Sequence, residues 1–107
     1  MAPDDAPYLY VVMMDVDPDK EAEFNEIYDR EHIPLLLQVP GVRRATRYAT
    51  STPGMPRYAA IYELDSPDVP GGEAFQKAAD AGEWPHRVRP YTRNRRHVLY
   101  RRISGAP

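Results

Sequence analysis

The chain contains no cysteine among its 107 residues. This absence excludes a disulfide framework, a metal site built from thiolates and a cysteine nucleophile, and it leaves the redox compartment open. No apolar run approaches the roughly 20 residues that a helix needs to cross a bilayer. The acidic segment 1–7 also lacks the apolar stretch of a signal peptide. We therefore expect a cytoplasmic protein with no membrane partner.

Motifs of several common enzyme classes are also missing. The chain has neither the glycine-rich loop that holds phosphates nor the Gly-x-Ser-x-Gly turn of serine hydrolases. Its three histidines are isolated, without the His-x-His or His-x-x-x-His spacing of metal ligands. We therefore expect no cofactor and no metal. A net charge of −2 without a recognition motif predicts no nucleic-acid partner.

Acidic side chains are absent from the C-terminal end of the chain. None follows Glu83, whereas seven arginines do, and acids dominate the segment 15–31. Two interpretations are open. The acidic and basic segments complement each other within a subunit or across an interface, or the arginines line the entrance for an anionic substrate.

The periodicity of apolar residues predicts the element order β-α-β-β-α-β. The predicted strands are 8–14, 42–50, 57–64 and 95–103, and the predicted helices begin at 17 and 73. This order is that of a ferredoxin-like α+β domain, with a four-stranded antiparallel sheet and two helices on one face. Several strands are apolar on both faces, so we expect two subunits to pack sheet to sheet as a homodimer. We expect one domain over 1–107, with flexible ends at 1–7 and 104–107.

The first predicted helix carries an ionisable group on its apolar side. Residues that recur at helical spacing form one stripe: Phe24, Ile27, Tyr28, Glu31, His32 and Leu35. The stripe places His32 one turn after Tyr28, so the two side chains can meet. Pro34 is expected to kink or break the helix at Ile33, because proline has no N–H to continue the ladder.

Three short motifs follow one another in the first half of the chain: Phe24-x-x-x-Tyr28-x-x-Glu31-His32-Ile33-Pro34-Leu35-Leu36, Val39-Pro40-Gly41-Val42 and Arg47-Tyr48. Together they resemble the dimeric α+β barrel superfamily and, within it, EthD-like proteins, which share a first-helix His-x-Pro and the following Pro-Gly. The resemblance implies a barrel formed by the sheets of two subunits, with a pocket between helices and sheet in each. Members include cofactor-independent monooxygenases, cyclases, isomerases, dehydrochlorinases, haem-degrading enzymes and proteins without a clear catalytic role.

Three residues are the candidate catalytic groups. His32 can take and return a proton near neutral pH, and the resemblance places it at the position of the family's helix histidine. Tyr28 could orient it, and Arg47 could stabilise a developing negative charge on a carbonyl oxygen. The alternative for His32 is a core histidine that is hydrogen-bonded to Tyr28 or to a backbone carbonyl.

Aromatic residues dominate the candidate substrate-binding positions. The chain has eight tyrosines against two phenylalanines and one tryptophan, which favours a pocket with hydroxyl donors. The alternative is that these tyrosines straddle the core and the wet edge of a small domain. The candidate substrate-binding residues are Tyr10, Phe24, Leu35, Tyr48, Tyr62, Trp84, His86 and Asn94.

These observations lead to one functional hypothesis and two alternatives. The hypothesis is a cofactor-independent enzyme that uses histidine acid/base chemistry on a small aromatic, polyketide-like or lactone substrate, as a cyclase, isomerase, dehydratase or monooxygenase. The first alternative is a non-catalytic dimer that binds a small molecule or assists a partner enzyme. The second, weaker alternative is a haem-handling protein.

Overall fold

The computed structural model describes residues 5–106. Its four strands are β1 (Tyr8–Val16), β2 (Val42–Ala49), β3 (Tyr58–Leu64) and β4 (Thr92–Arg101). Its helices are α1 (Glu21–Ile27), α2 (Ile33–Leu37), α3 (Glu73–Ala79) and α4 (Trp84–Arg87), with short 3-10 turns at Pro18–Lys20 and Arg89–Tyr91. A π-helical turn, Tyr28–His32, joins α1 to α2.

The strands form one antiparallel sheet in the order β2-β3-β1-β4. This order, with helices following the first and third strands, is the ferredoxin-like arrangement, so the predicted α+β fold class is confirmed. None of the helices in the described part of the chain has the length and hydrophobicity of a membrane span.

The ends predicted to be flexible include residues 1–4 and 107, which lie outside the described residues. At the N-terminal end the chain contacts the rest of the fold before β1 begins. Ala6 is buried, and the backbone N–H of Arg102 donates to the carbonyl of Pro7 over 2.8 Å.

The helices cover one face of the sheet. Along β1 the side chains of Val12, Met14 and Val16 are buried beneath them, whereas Val11 and Met13 on the opposite face are only half-buried. Because side chains alternate along a strand, the same division runs through β3. The core therefore lies between sheet and helices, and a second apolar face stays open.

The first helix passes Pro34 without a break, and the irregularity expected next to this proline is a wide turn that ends at His32, just before Ile33. The N–H of Ile33 donates to the carbonyl of Tyr28, five residues earlier, so the turn is wider than an α-turn. In a regular α-helix the Pro34 ring would clash with the carbonyl four residues before it. The wide turn relieves this clash, and α2 continues to Leu37.

The wide turn also moves the buried stripe by one residue. Phe24, Tyr28, His32 and Leu36 are buried at a spacing of four, and Leu36 is 1% exposed. Leu35, predicted to lie in the stripe, is only partly buried. In a helix with a constant period of 3.6 residues, residue 35 would face the core. The additional residue in the π-helical turn turns residue 36 toward the core instead.

A β-bulge interrupts β4 opposite β1. Met13 pairs with Arg96 and Asp15 pairs with Arg93. Between these pairs β4 advances by three residues and β1 by two, so β4 contains one additional residue. Asn94 occupies the bulge with a positive φ of 54°, a conformation that asparagine tolerates better than most residues. The bulge lets Arg95 and the more distant Thr92 both take the helix-facing side, because the extra residue reverses the alternation between them.

Candidate active site

A cavity of about 250 Å³ lies between the helices and the β1–β4 end of the sheet. Its wall combines apolar, aromatic and hydroxyl-bearing side chains with a few charged ones. The lining residues are Tyr10, Val12, Met14, Tyr28, His32, Leu36, Tyr62, Phe75, Gln76, Ala79, Asp80, Trp84, Arg89, Arg95 and His97.

His32 is held in this wall by two aromatic rings. Its imidazole stacks on the Trp84 indole, with ring centroids 4.3 Å apart and an angle of 20°, and meets the Tyr28 ring edge-on at 5.1 Å. The side chain is 6% exposed, and its buried Nδ1 has no hydrogen-bond partner among residues 5–106. His32 is therefore not a core histidine that is hydrogen-bonded to Tyr28, because the Tyr28 hydroxyl bonds to Tyr62.

Burial controls the charge of this imidazole. Removal from water, with a smaller contribution from the nearby Arg89 guanidinium, lowers the pKa of His32 from 6.5 to about 4. His32 is therefore neutral at physiological pH, where a ring nitrogen can accept a proton.

A pair of buried hydroxyls lies beside the histidine. The Tyr28 and Tyr62 oxygens are 3.2 Å apart and share a hydrogen bond between helix and sheet. Burial is the main cause that raises the pKa of both phenols, so both stay protonated at neutral pH. One of the two hydroxyls can thus donate to the other and the other to a bound oxygen atom.

Trp84 is positioned by a contact from the wide turn to the following loop. Glu31 Oε1 accepts a hydrogen bond of 2.7 Å from the backbone N–H of Glu83, immediately before α4. Gly82 has a φ of +73°, and a β-carbon there would overlap the Glu31 carboxylate. Glycine at this position therefore lets the carboxylate approach and fix the start of α4, which carries Trp84 over His32.

The structure does not bring Arg47 to the cavity. Its guanidinium bonds Asp29 at 2.8 Å and Asn25 at 2.7 Å, and its Cζ lies 4.5 Å from the centroid of the Tyr28 ring. Arg47 belongs to β2, the strand at the opposite edge of the sheet from β4. Its guanidinium contacts the Tyr28 ring, and Arg47 is not among the residues that line the cavity.

Four other predicted site residues lie outside the wall. Phe24 is fully buried below the Tyr28 and Trp84 rings, at centroid distances of 5.4 and 5.9 Å. Tyr48, 57% exposed, lies on the open face, because strand alternation gives the helix-facing side to Arg47. His86 is a side chain of α4 that does not reach the cavity.

Asn94 is the fourth predicted site residue that lies outside the cavity wall. Its Nδ2 donates to Asp15 Oδ2 over 2.8 Å within the bulge. A fifth predicted position, Leu35, is replaced in the wall by Leu36 for the reason given above. The structure does bring five predicted residues together: Tyr10, Tyr28, His32, Tyr62 and Trp84.

Several wall residues were not predicted from the sequence. Arg95 and His97 enter through β4, and His97 pairs across the sheet with Val12. Because side chains alternate along a strand, Arg95 and His97 lie on the same face of β4. This alternation was the signal in the sequence that could have grouped the two residues. Phe75 and Ala79, four residues apart on α3, were a second signal of a helix face that contacts the site.

The wall offers little to a metal ion. Among the described residues, no three histidine, aspartate or glutamate side chains cluster as ligands would. Asp80, the carboxylate of the wall, accepts a 2.9 Å contact from Arg89.

Solved structures share this fold over almost the whole chain. An antibiotic biosynthesis monooxygenase-like protein from Bordetella bronchiseptica has a TM-score of 0.71 at 17% identity, with 91% of this chain and 97% of that one covered. An EthD family protein from Bacillus halodurans has a TM-score of 0.64 at 12% identity, covering 90% and 99%. A cofactor-independent oxygenase from Streptomyces nogalater has a TM-score of 0.65 at 24% identity, covering 94% and 96%.

No protein-family model and no curated protein sequence matches the chain. At the identities of the solved structures the likeness is one of fold. The chain has the ferredoxin-like fold of these structures, one of which is an EthD family protein, so the predicted resemblance is confirmed at the level of architecture.

We predict that His32 makes the stability of the protein fall as the pH drops from 6.5 to about 4. The folded-state pKa lies below the unfolded value, so the contribution of the neutral imidazole is fully present above pH 6.5 and is lost as the pH falls through the folded pKa. This lowering of the His32 pKa corresponds to about 3 kcal/mol of unfolding free energy. Urea unfolding measures this contribution. Between pH 6.5 and about 4, His32→Gln should lose less unfolding free energy than the parent protein, by about that amount.

The matched control is His86→Gln, which removes a histidine that lies outside the cavity. It should lose stability with acid as the parent protein does. Equal acid-induced losses in the parent and in His32→Gln would show that the buried imidazole does not titrate in this way.

We predict that Gly82→Ala displaces Trp84. The variant carries backbone strain of about 1–2 kcal/mol and must also push the Glu31 carboxylate away from Glu83. Trp84 is the single tryptophan, so its emission should shift to the red as the indole leaves its buried position. Gly54→Ala is the control, since Gly54 has a φ of +84° and a β-carbon added there would meet no atom within 4 Å. Equal stability losses and unchanged emission in both variants would contradict the positioning role of Glu31.

Proposed function

We propose that this protein is a cofactor-independent enzyme that uses His32 as general base and acid on a small aromatic, polyketide-like or lactone substrate. Cyclisation, isomerisation, dehydration and oxygen insertion through a stabilised carbanion can all begin with the removal of a proton next to a carbonyl. One observation carries the proposal. A neutral imidazole, with an unpartnered ring nitrogen among the described residues, lies in the wall of a tyrosine-lined cavity.

In this proposal the neutral imidazole takes the proton from a carbon next to the substrate carbonyl. The electron pair of the broken C–H bond moves onto the carbonyl oxygen and forms an enolate. The imidazolium and the enolate then stabilise each other, so the pKa of His32 rises above its resting value as the reaction proceeds. Positioned acid/base groups of this kind contribute about 10²–10⁴-fold in rate.

The enolate oxygen needs hydrogen-bond donors that are already in place. The Tyr28–Tyr62 pair supplies protonated hydroxyls in a site shielded from water, where such bonds are stronger than in bulk solvent. Phe75 and Trp84 supply apolar surface for the substrate ring. The His32 imidazole is presented by its edge, because Trp84 covers one of its faces.

The size of the cavity limits the substrate. About 250 Å³ is below the roughly 300–1,000 Å³ of pockets for drug-sized ligands, which suits one or two fused rings. A haem is larger than a drug-sized ligand, and the His32 ring that would coordinate it is stacked against Trp84. The residues of this chain as arranged do not fit a haem, so the proposal contains no step that uses one.

The open face of the sheet supports the second part of the proposal, a homodimer of single-domain chains that pack sheet to sheet. The face carries half-buried apolar residues from the central strands, among them Leu9, Val11 and Ile61, and two largely exposed tyrosines. Those tyrosines are Tyr48 at 57% and Tyr100 at 52%. An identical face on a second copy would cover this surface by a self-complementary contact.

We predict that the protein catalyses hydrogen–deuterium exchange next to a ketone. 2-Tetralone in deuterium oxide is a suitable probe, because its exchange is measured by mass spectrometry and requires proton abstraction without any later step. The parent protein should accelerate exchange, and His32→Gln should return it to the background rate. Tyr28→Phe should slow exchange about tenfold, since Tyr62 still offers a donor.

His86→Gln is the control and should keep the parent rate, since His86 lies outside the cavity. A parent protein that binds 2-tetralone without accelerating its exchange would contradict the enzymatic proposal. That result would favour the non-catalytic binding protein, in which His32 only contributes to the shape and affinity of the site.

We predict that Ile61→Lys yields a monomer. Ile61 lies in the middle of the open face, paired with Val11, and a buried lysine there would face its copy in a second subunit. Light scattering after size-exclusion chromatography should report a mass of one chain for the variant and two for the parent. Leu37→Lys is the control, because Leu37 is an exposed leucine of α2 away from the sheet. A parent protein that is monomeric would contradict the proposal.

A further inference from the structure

The permanent charges of the cavity wall do not balance. Three wall residues carry them: Asp80, Arg89 and Arg95. Arg89 donates from Nη2 to Asp80 Oδ1 and to the carbonyl of Ala79, both at 2.9 Å, so this pair is neutral as a unit. The positive charge of Arg95 is left over.

Arg95 has no side-chain hydrogen bond or ion pair with any other residue in the range 5–106. Arg93 pairs with Asp17 at 3.0 Å and Arg89 with Asp80. Arg96 and Arg101 share the lack of a partner within the described residues, but neither lines this cavity. Arg95 takes the helix-facing side of β4 together with His97, two residues further on, and so lies next to the cavity.

The charge of Arg95 reaches the hydroxyl groups of the cavity. It acts to lower the pKa of both Tyr10 and Tyr28, against the larger effect of burial that raises them. Arg95 is exposed whereas His32 is buried, so the guanidinium lies at the rim and the imidazole lies deep. A ligand in the cavity can therefore meet both groups, Arg95 at the rim and His32 deeper in the wall.

We propose that the substrate carries a carboxylate on its ring system and that Arg95 binds this carboxylate at the rim of the cavity. The inference rests on the proposed function and specifies its substrate class. A guanidinium matches a carboxylate with two parallel N–H···O bonds, a geometry that fixes the direction of the ligand as well as its charge. The apolar ring then enters between Phe75 and Trp84, with its reacting carbon toward His32.

The test compares two ligands of nearly equal shape. 2-Naphthoate carries the carboxylate, and 2-naphthamide replaces it by a neutral amide. Isothermal titration calorimetry should give the parent protein about tenfold higher affinity for 2-naphthoate, the size expected for one partly exposed charge-assisted contact. The preference should weaken with added salt.

Three variants assign this preference to a residue. Arg95→Gln should bind the two ligands with about equal affinity. Arg95→Lys should keep part of the preference for 2-naphthoate, because lysine keeps the charge but cannot form the two parallel hydrogen bonds of a guanidinium. Arg101→Gln is the matched control. It removes the same charge from an exposed position of the same strand, about 20 Å further along and outside the cavity wall, and should keep the full preference.

Each contrary result has a distinct meaning. Equal affinities in the parent, or a preference that survives Arg95→Gln, would overturn the carboxylate inference and leave the acid/base proposal standing. A loss in Arg101→Gln as large as that in Arg95→Gln would also overturn it, since the effect would then be one of general surface charge. Absence of binding for both ligands at about 1 mM would overturn the inference together with the proposed site.

Discussion

The wide turn at Tyr28–His32 sets the direction of the side chains that follow it in the first helix and face the sheet. Pro34 cannot take part in a regular helical ladder, and the turn adapts by one residue. The spacing of four that results places the Tyr28 hydroxyl at Tyr62 and the His32 ring against Trp84. A regular helix would rotate the following residues away, and the cavity would lose Leu36 from its wall.

The environment that this turn creates explains the state of the histidine. A buried polar nitrogen without a partner among the described residues is unfavourable, and a charged imidazole in the same place is more so. The folded protein meets this constraint by keeping His32 neutral and by stacking it on the Trp84 indole, which contributes favourable contact area. The contacts that stabilise the ring are thus the ones that leave it free to receive a proton from a bound molecule.

Much of the architecture could be predicted from the sequence, because apolar periodicity and turn residues report local structure directly. The order of elements, the ferredoxin-like class and the burial of Tyr28 and His32 follow from these signals. Leu35 was predicted in place of Leu36, because the period of a helix is not constant where a proline forces a π-helical turn.

The other differences arise from relations between distant segments. Arg47 was assigned to the site from its strand pattern and charge alone, whereas the order of strands in the sheet places β2 farthest from the cavity. Arg95 was not singled out, because alternation places it on one face of β4 with His97 without showing which face the helices cover, and the bulge at Asn94 reverses the alternation toward Thr92. Periodicity carries no information about either the neighbour order of strands or a local reversal of alternation.

The bulge and the arginines of β4 also protect the edge of the sheet. β4 is an outer strand, so one row of its backbone N–H and C=O groups has no neighbouring strand within the described part of this chain. Such a row can template the addition of a foreign strand, and long flat apolar edges are where aggregation begins. A kinked strand that carries charges at Arg93, Arg95, Arg96 and Arg101 is a poor template. The features that shape the mouth of the cavity thereby also make this edge a poor site for the addition of a strand.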